Sequence, residues 1–458
     1  MKSIRQAASS ARGLLRLALL LISVVAMLGG ICDGYSVLSH EEIVDLLWLD
    51  HIRPLLLKRF PGTTTEELRK AHAYAYGGSM VQDMGYYPFG NKYFSDLVHY
   101  VRSGDFVENL VEESSDLNEY AFALGALAHY AADTMGHPTV NQIVAIEFPK
   151  LRKKYGNQIT YAENPKAHIQ AEFGLDIEQI ARGRFSSDAY HDFIGFEVSK
   201  PVLERAFRKT YGIEISDVFK DIDLSIGTFR RSVSKIIPKM TKAALITHKK
   251  ELVKETPNFD KKKFQYYLSR AQYEREWGNK YEKPGFGTRV LAFFLKLVPK
   301  IGPFKALAFK IPSAQAEDLY IKSVNETVEE YRKTLRESAG SRFNLPNIDF
   351  DTGKPTRPGE YVLTDKAYAR LVHELAEKKF TNVTPDLRGN ILQFFSGSNP
   401  PAGLKKKKDK DDWERTLAEL DELKAYVPHV PENQTSPGTS SVGDTLLEVV
   451  PTGAEPRK

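Results

Sequence analysis

The chain has 458 residues, 42% of them hydrophobic and 27% charged, with 31 glycines and 24 prolines. That is the balance of a folded protein, and it excludes collagen-like and wholly disordered chains. The single cysteine, Cys32, excludes a disulfide framework and a cysteine-based zinc finger, so any metal must be held by nitrogen and oxygen. The formal charge is +5, and much of that excess sits in Lys2, Arg5, Arg12 and Arg16 against Asp33; what remains gives no nucleic-acid footprint.

Residues 1–13 are basic without an acid, and 14–28 are apolar apart from Arg16 and Ser23, with Gly29-Gly30 following. This reads as a signal peptide over 1–34, so the protein is expected to be exported, periplasmic or secreted. The apolar run is too short for a membrane span, and Ile31 before Cys32 makes a poor lipidation signal.

From residue 40 to about 211 the sequence reads as helices with short Gly/Pro interruptions, at 41–57, 65–76, 117–134 and 166–182. Apolar residues recur at three and four, as in Ile43, Leu46 and Leu47, and strand-like alternation is scarce. The expected fold is all-α. Helical patterns continue through 215–252, 261–277 and 317–337, a turn-rich patch occupies 344–360, and a last helix is expected near 365–379. The expected organisation is a catalytic domain over 35–255 and a helical extension over 256–395. Beyond it, 396–458 reads as a linker, a basic run at 405–408, a short helix at 413–426 and a polar, disordered tail.

Five of the 11 histidines, His40, His99, His129, His137 and His168, fall in one stretch beside helix-like segments with carboxylates nearby. In His129-Tyr-Ala-Ala-Asp133-Thr-Met-Gly-His137-Pro, the spacing of four puts His129 and Asp133 on one helix face, able to chelate one ion. On a continuous helix His137 lies about 12 Å from His129, too far to share an ion with ligand bonds near 2 Å, and Pro138 biases His137 away from helical geometry. At least two metals are expected, with Asp133 free to bridge. His168-Ile-Gln-Ala-Glu172 repeats the chelate on another helix.

The ordered set Ser39-His40, Val81-Gln-Asp83, Phe94-Ser-Asp-Leu-Val-His99, His129-Tyr-x-x-Asp133, His137 and His168-x-x-x-Glu172 resembles the bacterial zinc-dependent phospholipases C. The fungal single-strand-specific zinc nucleases share that metal core. The resemblance implies an all-α multi-helix domain with two to three zinc ions. One would be held by Asp83, His99, His129 and Asp133, and a second by His137, His168 and Glu172. The third would take His40, a share of Asp133, and the α-amino group and carbonyl of the mature N-terminal residue. Here that residue is Tyr35, exposed by cleavage after Gly34, where the family usually has tryptophan. A second departure is the three residues between Asp133 and His137, where the family usually has five. The resemblance also makes Asp83 the general base as well as a ligand.

Tyr86, Tyr87 and Phe89 follow Asp83 and suggest a cage for a quaternary ammonium headgroup or a stack for a base. His51, His72 and His191 match no ligand position. Residues 283–316 contain no acid, and Arg289, Lys296 and Lys300 form a basic stripe that can meet an anionic lipid surface. Asp351-Thr352-Gly353 copies an aspartic-protease triplet once and reads as a turn. The leading expectation is an exported zinc phosphodiesterase of phospholipase C type acting on phospholipid, with no nucleic acid as partner. A zinc nuclease or nucleotidase on the same scaffold, and a binding protein with structural zinc, are the alternatives.

Overall fold

The computed structural model describes residues 36–181, 194–238, 241, 309, 311–337, 343–397 and 407–427. The expected helix at 261–277, most of the basic stretch 283–316, Tyr35, His191 and the C-terminal tail lie outside them. Helices dominate, as the periodicity predicts. They are α1 (Val37–Leu47), α2 (Arg53–Arg59), α3 (Thr65–Gly78), α4 (Lys92–Tyr100), α5 (Ser103–Glu112), α6 (Leu117–Glu147) and α7 (Pro149–Tyr155). There follow α8 (Pro165–Ala181), α9 (Lys200–Tyr211), α10 (Ile215–Val218), α11 (Ile222–Arg231), α12 (Ala314–Glu337), α13 (Val362–Glu377), α14 (Pro385–Phe394) and α15 (Lys407–Ala425). The strands described are β1 (Ile348–Asp349) and β2 (Lys354–Pro355), one antiparallel hairpin in the turn-rich patch.

Local chemistry sets the helix starts. Thr64 and Glu67 form a reciprocal capping box at α3, Asn91 caps α4, and Asp116 accepts from the amides of Asn118 and Glu119 at α6. The helix expected over 41–57 is broken by a π turn at Trp48–Ile52. Pro54, in the first turn of α2, has no amide to give the preceding turn, and the backbone widens there.

Helix α6 is the axis of the fold. Helices α3, α5, α8, α12 and α1 all pack on it, and its run from Ala121 to Ala132 is buried on every side. The α3–α6 crossing is close because both sides present glycine. A Cβ on Gly125 would lie 2.0 Å from the Ala75 carbonyl oxygen, and one on Gly78 would lie 1.9 Å from that of Phe122. Beyond residue 255, α12 lies along α6, α13 packs on α4, and Tyr320, Tyr331, Phe350 and Leu371 join the same hydrophobic core. No helix among the described residues is long and apolar enough to cross a membrane.

The chain does not leave helical geometry at His137. Helix α6 runs through Pro138 to Glu147, contrary to the expectation from the proline. The Thr134 carbonyl, deprived of an amide at Pro138, has the hairpin glycine Gly353 packed against it.

Candidate metal centre

Tight local anchoring aims the ligand side chains. The α3–α6 crossing brings the Ser79 carbonyl to His129, whose Nδ1 donates to it at 2.9 Å. One turn back on α4, the Ser95 carbonyl accepts from His99 Nδ1 at 2.8 Å. A carbonyl can only accept, so both rings carry their proton on Nδ1 and turn a lone pair on Nε2 toward the centre. Asp83 sits in a 3₁₀ turn, Val81–Tyr86, pinned on both sides of it. Gln82 Nε2 donates to the Ala126 carbonyl at 3.0 Å, and the Ser95 hydroxyl links the Gln82 carbonyl to the Gly85 amide.

Asp133 is the hub. His129 Nε2 lies 3.1 Å from its Oδ2, His137 Nε2 3.3 Å and His99 Nε2 3.4 Å, while His40 Nε2 is 3.5 Å from Oδ1. Asp83 Oδ1 is 3.4 Å from His99 Nε2. His129 and His137 thus reach one carboxylate from opposite sides along the helix, because Asp133 stands one turn from each of them. Among the described residues, two trios of donor atoms lie within 4.8 Å of one another: His40, His129 and Asp133, and Asp83, His99 and His129.

These groups are fully buried, and the oxygens of Asp83 and Asp133 and the Nε2 atoms of His99 and His129 have no hydrogen-bond partner. Buried polar atoms left in that state cost free energy, and so many converging on one point fit a divalent cation. The electrostatics agree. Burial disfavours the Asp133 carboxylate, but the imidazoles of His129 and His137 outweigh it and hold its carboxyl well below the usual range. Burial, then His129, drives His40 well below the ordinary imidazole range. In His99 and His137 burial is outweighed by carboxylates, Asp133 and Asp83 for the first and Asp133 and Asp351 for the second, which rises to about 10. The centre demands positive charge, and bound protons are what a metal displaces.

The second chelate is built differently. Burial and His137 lower His168 to about 4, so its ring is neutral. Its Nε2 lies 2.7 Å from Asn141 Oδ1 and 3.0 Å from the Ile159 carbonyl, which places the proton there. Nδ1 then presents a lone pair to Glu172 Oε1 at 2.9 Å, and two such acceptors need a proton or a cation between them. The rings of His168 and His137 stand 6.1 Å apart.

The three-ring aromatic cage is not formed. The Tyr86 ring stands 6.0 Å from that of His99, but Tyr87 is buried edge-on to Phe229 at 4.8 Å, and Phe89 is 61% exposed. Tyr161, which the sequence pattern gave no reason to choose, lies 6.5 Å from Tyr86 and edge-on to His168 at 6.2 Å. His72 is a core residue, stacked on Trp48 and held 2.9 Å from Asp45. The turn at Asp351 is a turn as expected, yet it reaches the centre: Asp351 Oδ1 is 3.2 Å from His137 Nδ1, and Phe350 packs against His99 and His129. Its partners lie so far back in the chain that no local spacing rule connects them.

Residues 39–221 match the family model described as zinc dependent phospholipase C. Comparisons with curated proteins and with solved structures found no match.

Proposed function

Because residues 39–221 match the zinc-dependent phospholipase C family model, we propose that this protein hydrolyses phospholipids to diacylglycerol and a phosphorylated headgroup, using two to three zinc ions. The observation that carries the reading is the convergence of unpartnered, buried donor atoms on Asp133. Zinc held there would lower the pKa of a water toward neutrality and polarise phosphoryl oxygens, which suits in-line attack on a phosphodiester. His99 and His129 are locked by their Nδ1 bonds, so the donors are preorganised. Asp83 comes from a separate turn and has two oxygens without hydrogen bonds, so one can bind metal while the other accepts the proton of the attacking water. Tyr86 and Tyr161 flank this side of the site and offer aromatic faces to a cationic headgroup. Export through residues 1–34, the free amine of Tyr35 as a donor with His40, and membrane contact through 283–316 belong to the same proposal.

The test is hydrolysis of phosphatidylcholine vesicles by zinc-loaded protein, with Asp83→Asn as control. Turnover that falls at least about 100-fold in the variant supports the reading. Cleavage of single-stranded nucleic acid without phospholipid turnover transfers the protein to the nuclease reading. A second reading draws on the complete burial of the ligands, which suits a structural zinc site in a binding protein. Full zinc occupancy with no hydrolysis of any phosphodiester would favour it.

A further inference from the structure

The hairpin β1–β2 lies beyond residue 221, where the family match ends, and it is anchored firmly to the domain before it. Asn347 Oδ1 accepts from the amides of Gly104 and Asp105 at 3.0 and 3.1 Å, at the start of α5. The Ser103 hydroxyl donates to the Ile348 carbonyl at 2.6 Å and accepts from the Ile348 amide at 3.0 Å. The Phe350 amide donates to the His99 carbonyl, and Asn141 Nδ2 donates to that of Asp351 at 2.7 Å. These bonds fix the hairpin tip against α4 and α6.

At the tip Asp351 is fully buried. Its Oδ2 accepts from the hydroxyls of Tyr100, at 3.0 Å, and Tyr361. Its Oδ1 has no hydrogen-bond partner and stands 3.2 Å from His137 Nδ1, which has none either. An orienting carboxylate would receive the ring N–H along its axis, so the contact lacks the geometry of a positioning bond. Their separation instead matches that of two ligands on one tetrahedral ion with bonds of about 2 Å. A carboxylate buried this deeply is costly unless its charge is met, and two tyrosine hydroxyls serve one oxygen alone.

We propose that Asp351 is a metal ligand, binding with His137 Nδ1, and with His168 and Glu172, the ion of the second site. The proposal rests on the zinc-centre reading above. It accounts for the short spacing from Asp133 to His137: with one helical turn between them, His137 Nε2 keeps the ring proton and faces Asp133, and the Nδ1 lone pair is left to share an ion with a ligand from outside α6. That donor comes from the extension, so residues 39–221 alone hold an incomplete second site.

Two measurements on the full chain test this. Anomalous diffraction at the zinc edge from zinc-loaded wild-type crystals should place a peak within about 2.2 Å of Asp351 Oδ1; a centre with no peak within ligand distance of it overturns the proposal. Chelator competition should show one ion bound at least about 100-fold more weakly in Asp351→Asn, with the others unchanged. Asn347→Ala loosens the same hairpin without removing a ligand and should weaken binding far less than Asp351→Asn does. Unchanged affinity in Asp351→Asn, or an equal loss in Asn347→Ala, overturns the proposal. Wild-type protein that takes up no zinc would instead remove the zinc-centre reading itself, and this inference with it.

Discussion

Asn141 Oδ1 lies 2.7 Å from His168 Nε2 and thereby fixes which nitrogen of that ring is left to face Glu172. The amide also donates to the Asp351 carbonyl, so one side chain of α6 ties α8 and the hairpin to the same place. Outer partners of this kind typically change metal affinity 10- to 100-fold. Asn141→Leu should therefore weaken one zinc ion by roughly that factor. Chelator competition on the variant measures it, and unaltered binding of every ion would show that the Ile159 carbonyl alone sets the ring.

His129→Ala and Glu172→Ala truncate different donor sets, since His129 meets Asp133 while Glu172 pairs with His168. Each should lower zinc content while leaving another ion in place. Elemental analysis of the purified variants checks this. Loss of all metal from both would mean that the centre assembles as one cooperative unit.

Much of the centre was legible because four-residue spacing is a geometric statement: His129 with Asp133, and His168 with Glu172, share a helix face whatever else happens. The all-α fold was legible for a similar reason, since apolar residues recur at helical intervals through α1, α6 and α8. What escaped was decided by packing between distant segments. Pro138 argued for a break at His137, but the local rule does not see the hairpin that shields the Thr134 carbonyl. Tyr87 follows a ligand in sequence yet packs on Phe229, whereas Tyr161 reaches the site through the fold alone. Asp351 read as a turn residue, which it is, and nothing near it in sequence discloses His137.

The pH dependence of stability should carry a signature of Asp176. This buried carboxylate accepts from the Leu38 amide at 3.0 Å and from the Ser39 hydroxyl at 2.5 Å, holding the start of α1 beside His40. Burial, against these hydrogen bonds, raises its pKa to about 6. The folded state then keeps this proton to higher pH than the unfolded chain. Its stabilising contribution is full below about pH 4 and is lost as pH rises through about 6. Relative to Asp176→Asn, metal-free wild-type protein should lose on the order of 2–3 kcal/mol between pH 4 and 7. Denaturant melts of both proteins across that range test it, and a stability difference that stays flat with pH would rule out a raised pKa.

Gly353 supplies the most local test of the hairpin's seat. Its φ is +66°, and a Cβ there would lie 2.7 Å from Pro138 Cγ and 2.8 Å from the Thr134 carbonyl oxygen. Gly62 offers a comparison, with φ of +84° but nothing within 4 Å of its Cβ position. Alanine at Gly62 meets only the left-handed backbone cost, about 1–2 kcal/mol. Alanine at Gly353 adds a collision with the backbone of α6 and the ring of Pro138, neither of which can swing aside, so a further 1–3 kcal/mol is expected. Because Phe350 and Asp351 ride on the same turn, Gly353→Ala should also weaken zinc binding, while Gly62→Ala leaves it unchanged. Thermal melts and chelator competition on the two variants decide the matter: equal destabilisation with equal zinc affinity would mean that the hairpin tip yields without disturbing His137.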